Sequence, residues 1–301
     1  MKKAKIIATG SYVPKKVLTN QSLEEIVDTS DDWIIQRTGI KERRIAEEET
    51  AVDLAYLAVK DMDYHDIDLV IVSTSTPDYT FPSTACLVSE RLSLSNVACF
   101  DISAACTGFL YALECGRFFI ESGKYKKALI IATEKTSKII DWKDRSTCVL
   151  FGDGAGACIL APSYSSGITG SYFNSNGKLG DILKVDHYIK MEGQEVFKYA
   201  IIYMTEAIQR VLESTSLKID DIDLFIPHQA NIRIINLMGK RLDIPQEKTY
   251  INLEKYGNVV SASSAIALDE AVKEGKVKEG DIILMVAIGG GFTWGAMVIK
   301  W

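Results

Sequence analysis

A single displacement, 155 residues long, constrains this chain more than any other feature. It carries DIDLVIVS, from Asp66, onto DIDLFIPH, from Asp221. It lays YALE, from Tyr111, on IALD, from Ile266, and ALIIAT, from Ala128, on ILMVAI, from Ile283. Each match joins two elements of the same predicted type, so a βα-rich unit of about half the chain is read as occurring twice. TGSY recurs at Thr9 and Thr169, a shift of 160, and GACIL at Gly156 matches GAMVI at Gly295, a shift of 139. The offset changes only where loops would lie. A repeat this long excludes a solenoid. No low-complexity linker separates the copies, so halves 1–162 and 163–301 are expected to pack tightly, with sites between them.

Within the first copy the pattern is strand and helix in turn. Lys5 to Ala8 reads as a short strand and TGSYVP as a turn. Thr29-Ser30-Asp31-Asp32 caps a helix that carries Trp33 and Arg37 four residues apart on one face. Thr50 and Asp53 resemble a capping pair for a helix from Thr50 to Met62. Asp68 to Ser73 is a buried strand, and Phe81-Pro82-Ser83 opens a helix through Leu92. NVACFDI suits another buried strand. It runs through SAACTG into a helix that stops at Gly123. Further on, FGDGAGACIL reads as a glycine turn feeding a strand.

Cys106 sits at that strand-to-helix join, among Ala104, Ala105, Thr107 and Gly108. Small neighbours permit a sharp turn and the approach of a substrate. A helix N-terminus offers unpaired N–H groups and positive potential, which lowers a thiol pKa from about 8.5 toward roughly 3.5–7.5. The residues fit a nucleophile on an elbow, and equally a small buried hydrophobe. The 155-residue shift places Ser261 opposite Cys106, so the two helix starts are expected to meet near a pseudo-twofold axis.

Composition removes several classes. A formal net charge of −6 argues against nucleic-acid binding and a polybasic membrane anchor. Six cysteines without CxxC and three distant histidines give no zinc signature. They fit a reducing cytosol better than a disulfide framework. Apolar stretches all break before about 18 residues, so no membrane span is expected, and the N-terminal apolar run is too short for a signal peptide.

In the second copy, His228 follows a buried strand, where open α/β sheets build sites. Asn258 opens a predicted helix and fits an N-cap. Gly289, Gly290 and Gly291 follow a strand, as a plain turn or as a backbone N–H donor to an oxyanion. Each signal is weak alone, and together they are strong.

In this order, DISAACTGFLYAL, DRSTCVLFGDGAGA, PHQANIRI, YGN and GGGFTWG resemble the β-ketoacyl-acyl-carrier-protein synthase III family. The resemblance covers nearly the whole chain. It implies a thiolase-like five-layer α/β/α/β/α fold with internal duplication. It implies condensation of an acyl-CoA, acetyl or short branched, with malonyl-carrier protein. Cys106 would be acylated, with an oxyanion hole at the N–H groups of Cys106 and Gly290. His228 and Asn258 would hold the malonyl thioester. Trp33 and Arg145 would sandwich the adenine of coenzyme A, while Thr29, Arg37, Phe197 and Asn231 would follow its ribose-phosphate and pantetheine. Arg233, Lys240 and Arg241 form a basic stripe for an acidic carrier. Phe81 would cross a homodimer interface into the partner's acyl pocket. The resemblance implies no cofactor, since acyl-CoA is a substrate, and a cytoplasmic location.

Three departures stand out. Val259 and Val260 replace the hydroxyl residues usual after Gly-Asn, Gln194 replaces a common Asn, and the segment from Asn174 to Met191 is short, which would open the tunnel mouth. The competing readings are a related synthase of a specialised pathway and a carrier-binding pseudoenzyme.

Overall fold

The computed structural model describes residues 2–301. The first half runs β1 (Lys3–Tyr12), β2 (Val17–Thr19), α1 (Asn20–Glu24), α2 (Asp31–Thr38), β3 (Glu42–Arg44), α3 (Ala51–Val59), β4 (Leu69–Ser73), α4 (Thr84–Arg91), β5 (Ala98–Ile102), α5 (Gly108–Glu121), β6 (Ala128–Lys135), α6 (Arg145–Cys148) and β7 (Asp153–Ser163). The second runs β8 (Gly167–Ser175), β9 (Leu183–Val185), β10 (Ile189–Met191), α7 (Gly193–Thr215), β11 (Leu224–Pro227), α8 (Ile232–Arg241), α9 (Leu253–Tyr256), α10 (Ala262–Lys273), β12 (Ile282–Gly289) and β13 (Thr293–Lys300).

Two large sheets form, with strand orders β1-β7-β6-β4-β5 and β11-β12-β13-β8, beside the two-stranded pairs β2-β3 and β9-β10. The duplication is literal in their registers. Leu69 pairs with Ala128 between parallel β4 and β6, and Leu224 pairs with Ile283 between parallel β11 and β12. Both partners have moved by 155 residues.

Alternation along the strands builds the layers. Leu69, Ile71 and Ile130 face inward with Ile226, Ile283 and Met285 of the other sheet, and α5 and α10 fill the space between. Val70, Val72 and Leu129 face outward under α3 and α4. Leu284 and Val286 pack under α7 and α8. The order is α/β/α/β/α, the thiolase-like arrangement. Every residue of β4 is buried because both its faces are covered.

Five expectations need correction. TGSY is not a turn: β1 runs through it to Tyr12 against β7. The TGSY offset of 160 is also two residues out of structural register. Ser11 pairs with Gly156, but Gly295, the copy of Gly156, pairs with Phe173 rather than Ser171. A displacement of two keeps the same face inward. NVACFDI is an edge strand, β5, and all five of its residues are only half-buried. FGDGAGA is not a turn but strand from Asp153 onward, and Gly156 lies within β7. There a Cβ would come within 2.6 Å of Ala265, so the glycine permits α10 to lie on the strand. The α3 helix stops at Val59, short of Met62.

The halves are stitched reciprocally. Ser11 Oγ donates to Asp269 at 2.5 Å, and Ser171 Oγ donates to Glu114 at 2.7 Å. These acids are the last residues of IALD and YALE. Each also pairs with a base about one helical turn on, Lys273 at 2.7 Å and Arg117 at 2.8 Å. Each central helix is thus tied to the first strand of the other copy.

Candidate active site

The elbow between β5 and α5 is a short 3-10 turn, Ala105–Thr107, that precedes the helix. Ala105 has φ +45°, a region that L residues seldom occupy. Gly108 is required behind it, since a Cβ there would lie 2.0 Å from Ser73 Oγ. The turn is pinned to the second half through Thr107 and Thr293, whose hydroxyls lie 2.5 Å apart. Gly289 presses on it from the same side. A Cβ at Gly289 would stand 2.6 Å from the Cys106 nitrogen, so the glycine loop and the cysteine backbone are in direct contact.

His228 follows β11, and its N–H donates to Val286 O at 2.8 Å. Gln229 fixes the loop, donating to Pro227 O and Tyr250 O and accepting the Asn252 N–H. Both His228 ring nitrogens are without a protein partner. Burial holds the imidazole down to about 4, so it is neutral at ordinary pH. Asn258 Oδ1 accepts the Val260 N–H at 2.9 Å. That bond orients the carboxamide and leaves Nδ2 as its donor. The support of Asn258 seen here comes from the backbone N–H of Val260 and not from a side-chain hydroxyl.

Cys106, His228, Asn258 and Gly290 open into one cavity of about 750 Å³. Cys106 is 7% exposed. The expectation of a lowered thiol pKa fails. Burial pushes the thiol up to about 12, the charge on Glu134 adds to this, and the thiol's own N–H opposes it weakly. The helix end is local, whereas packing from both halves removes the water a thiolate needs.

Trp33, Arg37, Phe197, Asn231 and Arg233 line the same cavity, as does Gln194. Ser30 caps α2, accepting the Trp33 N–H at 3.2 Å. Arg145 lies outside the lining, stacked on Trp33 at 4.8 Å and donating to Asp28 O. The two faces expected to sandwich an adenine are in mutual contact, so Arg145 must swing aside to admit a ring. Thr29 does not reach the cavity, and its buried hydroxyl has no partner. The Asn231 carboxamide caps α8 at Arg233 N and donates to Arg37 O, joining α8 to α2. Arg233 stacks on Phe197 at 5.4 Å and belongs to the cavity mouth as much as to the basic stripe. Lys240 and Arg241 are exposed on the last turn of α8. Phe81 is not part of the lining and is 84% exposed. Leu183, Val185, Ile189 and Met191 of the β9–β10 hairpin wall the cavity, so the short segment closes one side of it.

One buried residue escaped the sequence reading. Glu134, at the end of β6, accepts the Ser261 hydroxyl at 2.6 Å and the Thr76 hydroxyl at 2.8 Å. Burial raises its carboxyl to about 7 against those donors. The 155-residue shift, which places Glu134 on Gly289, was the available signal.

Known proteins resemble this chain along nearly its whole length. Residues 100–177 match the family model described as 3-Oxoacyl-[acyl-carrier-protein (ACP)] synthase III, and residues 212–301 match its C-terminal counterpart. The chain is 53% identical to beta-ketoacyl-[acyl-carrier-protein] synthase III of Aquifex aeolicus, across 99% of each chain. It is 51% identical to that of Caldanaerobacter subterraneus subsp. tengcongensis, across 99% of this chain and 98% of the other. A crystal structure of the Aquifex aeolicus 3-oxoacyl-[acyl-carrier-protein] synthase III superposes with a TM-score of 0.97 at 52% identity, covering 99% of this chain and 100% of that one.

Proposed function

The chain belongs to the β-ketoacyl-[acyl-carrier-protein] synthase III family, and on that footing we propose how its own side chains divide the reaction. It is an acyltransferase that condenses an acyl-CoA with malonyl-carrier protein to 3-oxoacyl-carrier protein, CoA and CO₂. Cys106 takes the acyl group. Its sulfur attacks the thioester carbon, the carbon–sulfur bond to coenzyme A breaks, and the thiol proton leaves on the coenzyme A sulfur. With the thiol held high, proton loss accompanies bond formation. The N–H groups of Cys106 and Gly290 receive the oxyanion.

Malonyl-carrier protein then places its thioester oxygen between His228 and Asn258 Nδ2. Loss of CO₂ leaves an enolate whose charge gathers on that oxygen. Two neutral donors stabilise it more than they stabilise the ground state, so the barrier falls. A neutral imidazole needs no prior proton uptake to act this way. The enolate carbon attacks the acyl carbon, the carbon–sulfur bond to Cys106 breaks, and the released thiolate takes a proton from water to restore the thiol. No metal or cofactor is invoked, since acyl-CoA enters as a substrate.

The convergence of Cys106, Gly290, His228 and Asn258 on one cavity, with both imidazole nitrogens unpartnered, carries this reading. Labelled acyl-CoA followed by mass spectrometry tests it. Cys106→Ala should take up no acyl group. His228→Ala should be acylated normally yet decarboxylate malonyl-carrier protein ~10²-fold more slowly or worse. Full condensation by either variant overturns the assignment.

Exposed Lys240 and Arg241, with Arg233 at the mouth, suit an acidic carrier on a chain of net charge −6, in a contact weakened by salt. The half-buried edge strand β5 and the exposed Phe81 favour a homodimer, because an open edge otherwise templates aggregation. All six cysteines are free thiols, which suits a cytoplasmic setting.

A further inference from the structure

No step above uses Glu134, yet it stands at the meeting of the two halves. It is fully buried. Ser261, at the start of α10, and Thr76, after β4, donate hydroxyls to it, and the Ser75 N–H donates to both oxygens at 3.0 and 3.2 Å. Ser75 lines the cavity with Cys106. Gly108, two residues after Cys106, packs against Ser73 and Ser261. The carboxyl group therefore lies behind the wall from which the thiol projects.

We propose that Glu134 is a positioning residue that sets the ionisation of Cys106: as a carboxylate it keeps the sulfur a thiol, and as a carboxylic acid it relaxes that hold. Its charge is the second cause, after burial, of the raised thiol, and its own titration near 7 places the change within the working range. Few other charges face it. Lys138 binds Thr76 O and Pro77 O through Nζ. Lys135 lies along its own strand and donates to Glu47 O and Glu49 O. Asp153, from β7, takes the Ser137 hydroxyl, and Asp78 takes the N–H groups of Ala51 and Val52. The start of α10 and the end of β4 present hydroxyls and amides alone. His228, in the same cavity, stays neutral above about 4 and does not titrate in the window of interest. A sulfur kept protonated resists oxidation and gives up its proton only when a thioester arrives.

The proposal rests on Cys106 being the reacting sulfur, but its test contains neither acyl-CoA nor carrier protein, so its failure is separable from failure of acyl transfer. Iodoacetamide alkylation of the intact protein would be followed from roughly pH 6 to 10 by peptide mass spectrometry, which separates Cys106 from the other cysteines. Glu134→Gln should move the Cys106 rate–pH curve to lower pH, with alkylation several-fold faster near pH 8. Glu134→Asp keeps the charge and should restore a curve close to the parent's. Ser261→Ala removes the closest donor, so the carboxyl should titrate higher and its imprint on the Cys106 curve should move up in pH. Superimposable parent and Glu134→Gln curves overturn the proposal. If Glu134→Gln does not fold, a Ser261→Ala curve identical to the parent's does the same.

Discussion

The starts of α5 and α10 are two copies of one elbow with different contents. The 155-residue shift carries Ala105 to Val260, Cys106 to Ser261, Ser73 to His228, Ser103 to Asn258 and Glu134 to Gly289. Both elbows are strained alike, with φ +45° at Ala105 and +47° at Val260. At α5 the opposite half presents Gly289, whose missing side chain leaves room beside the Cys106 nitrogen, and Cys106 lines the cavity. At α10 the opposite half presents Glu134, whose carboxylate takes the Ser261 hydroxyl and fills the corresponding space. One copy is an open site and the other a filled one. Strain of roughly 1–3 kcal/mol is present at both, so it belongs to the elbow itself and not to the cysteine that only one copy carries. The proposed reactive centre depends on a deleted side chain as much as on the sulfur, imidazole and carboxamide placed around it.

The sharpest way to break this comparison is to give the open copy a side chain. A Cβ at Gly289 meets backbone, which cannot move aside cheaply. Gly289→Ala should therefore displace the Cys106 N–H and slow acyl transfer to Cys106 by about 10²–10³-fold, the usual loss for one oxyanion donor. Ser261→Ala, at the matching place in the filled copy, should change the same rate by less than about 10-fold. Mass-shift kinetics with a short acyl-CoA measure both. Comparable losses would mean that the filled copy shares in the chemistry.

What was legible in the chain follows the same division. Sequence holds the information wherever both copies keep the same residue type. LVIVS on LFIP gave the paired strands, and YALE on IALD gave the central helices together with the acids that stitch the halves. Cys106, His228, Asn258 and the glycine loop were also legible, as unusual residues at element ends. What escaped depends on the other half. Glu134 follows an apolar strand and reads as the first residue of a loop, because its burial is supplied by α10, more than a hundred residues away. TGSY reads as a turn, because Asp269, which receives the Thr9 and Ser11 hydroxyls, lies in the opposite copy. The Cys106 pKa was inferred from the helix end beside it, and distant packing reversed the sign.

A second test uses pH to compare the halves. Glu134, from the first, is raised from its ordinary 4.5 to about 7, and His228, from the second, is lowered from 6.5 to about 4. The fold favours protonated Glu134, so that contribution is complete below about 4.5 and is lost as pH rises through about 7. The fold disfavours protonated His228, so its penalty is absent above about 6.5 and grows as pH falls toward 4. Each shift corresponds to roughly 3 kcal/mol. Urea unfolding at a series of pH values should show the parent losing stability in both directions. Glu134→Gln should flatten the alkaline side only, and His228→Gln the acid side only. A parent profile unaltered in slope by either substitution would separate these groups from the pH dependence.

The smallest effect concerns the reciprocal stitches. Asp269 is sealed from solvent, whereas the Glu114 side chain keeps 14% exposure. Ser11→Ala leaves Asp269 with Thr9 and Lys273, and Ser171→Ala leaves Glu114 with Arg117 in a side chain that is not fully sealed. Hydrogen bonds to charged groups are worth about 1.5–3 kcal/mol, and an orphaned acceptor costs more where water cannot replace the lost donor. Ser11→Ala should therefore cost about 2 kcal/mol and Ser171→Ala about 1 kcal/mol in urea unfolding. The two sites share no partner, so the double variant should lose the sum within about 0.5 kcal/mol. A double variant that loses far less than the sum would show that breaking one stitch already releases the other. The copies would then be held by one cooperative seam rather than by two equivalent ties.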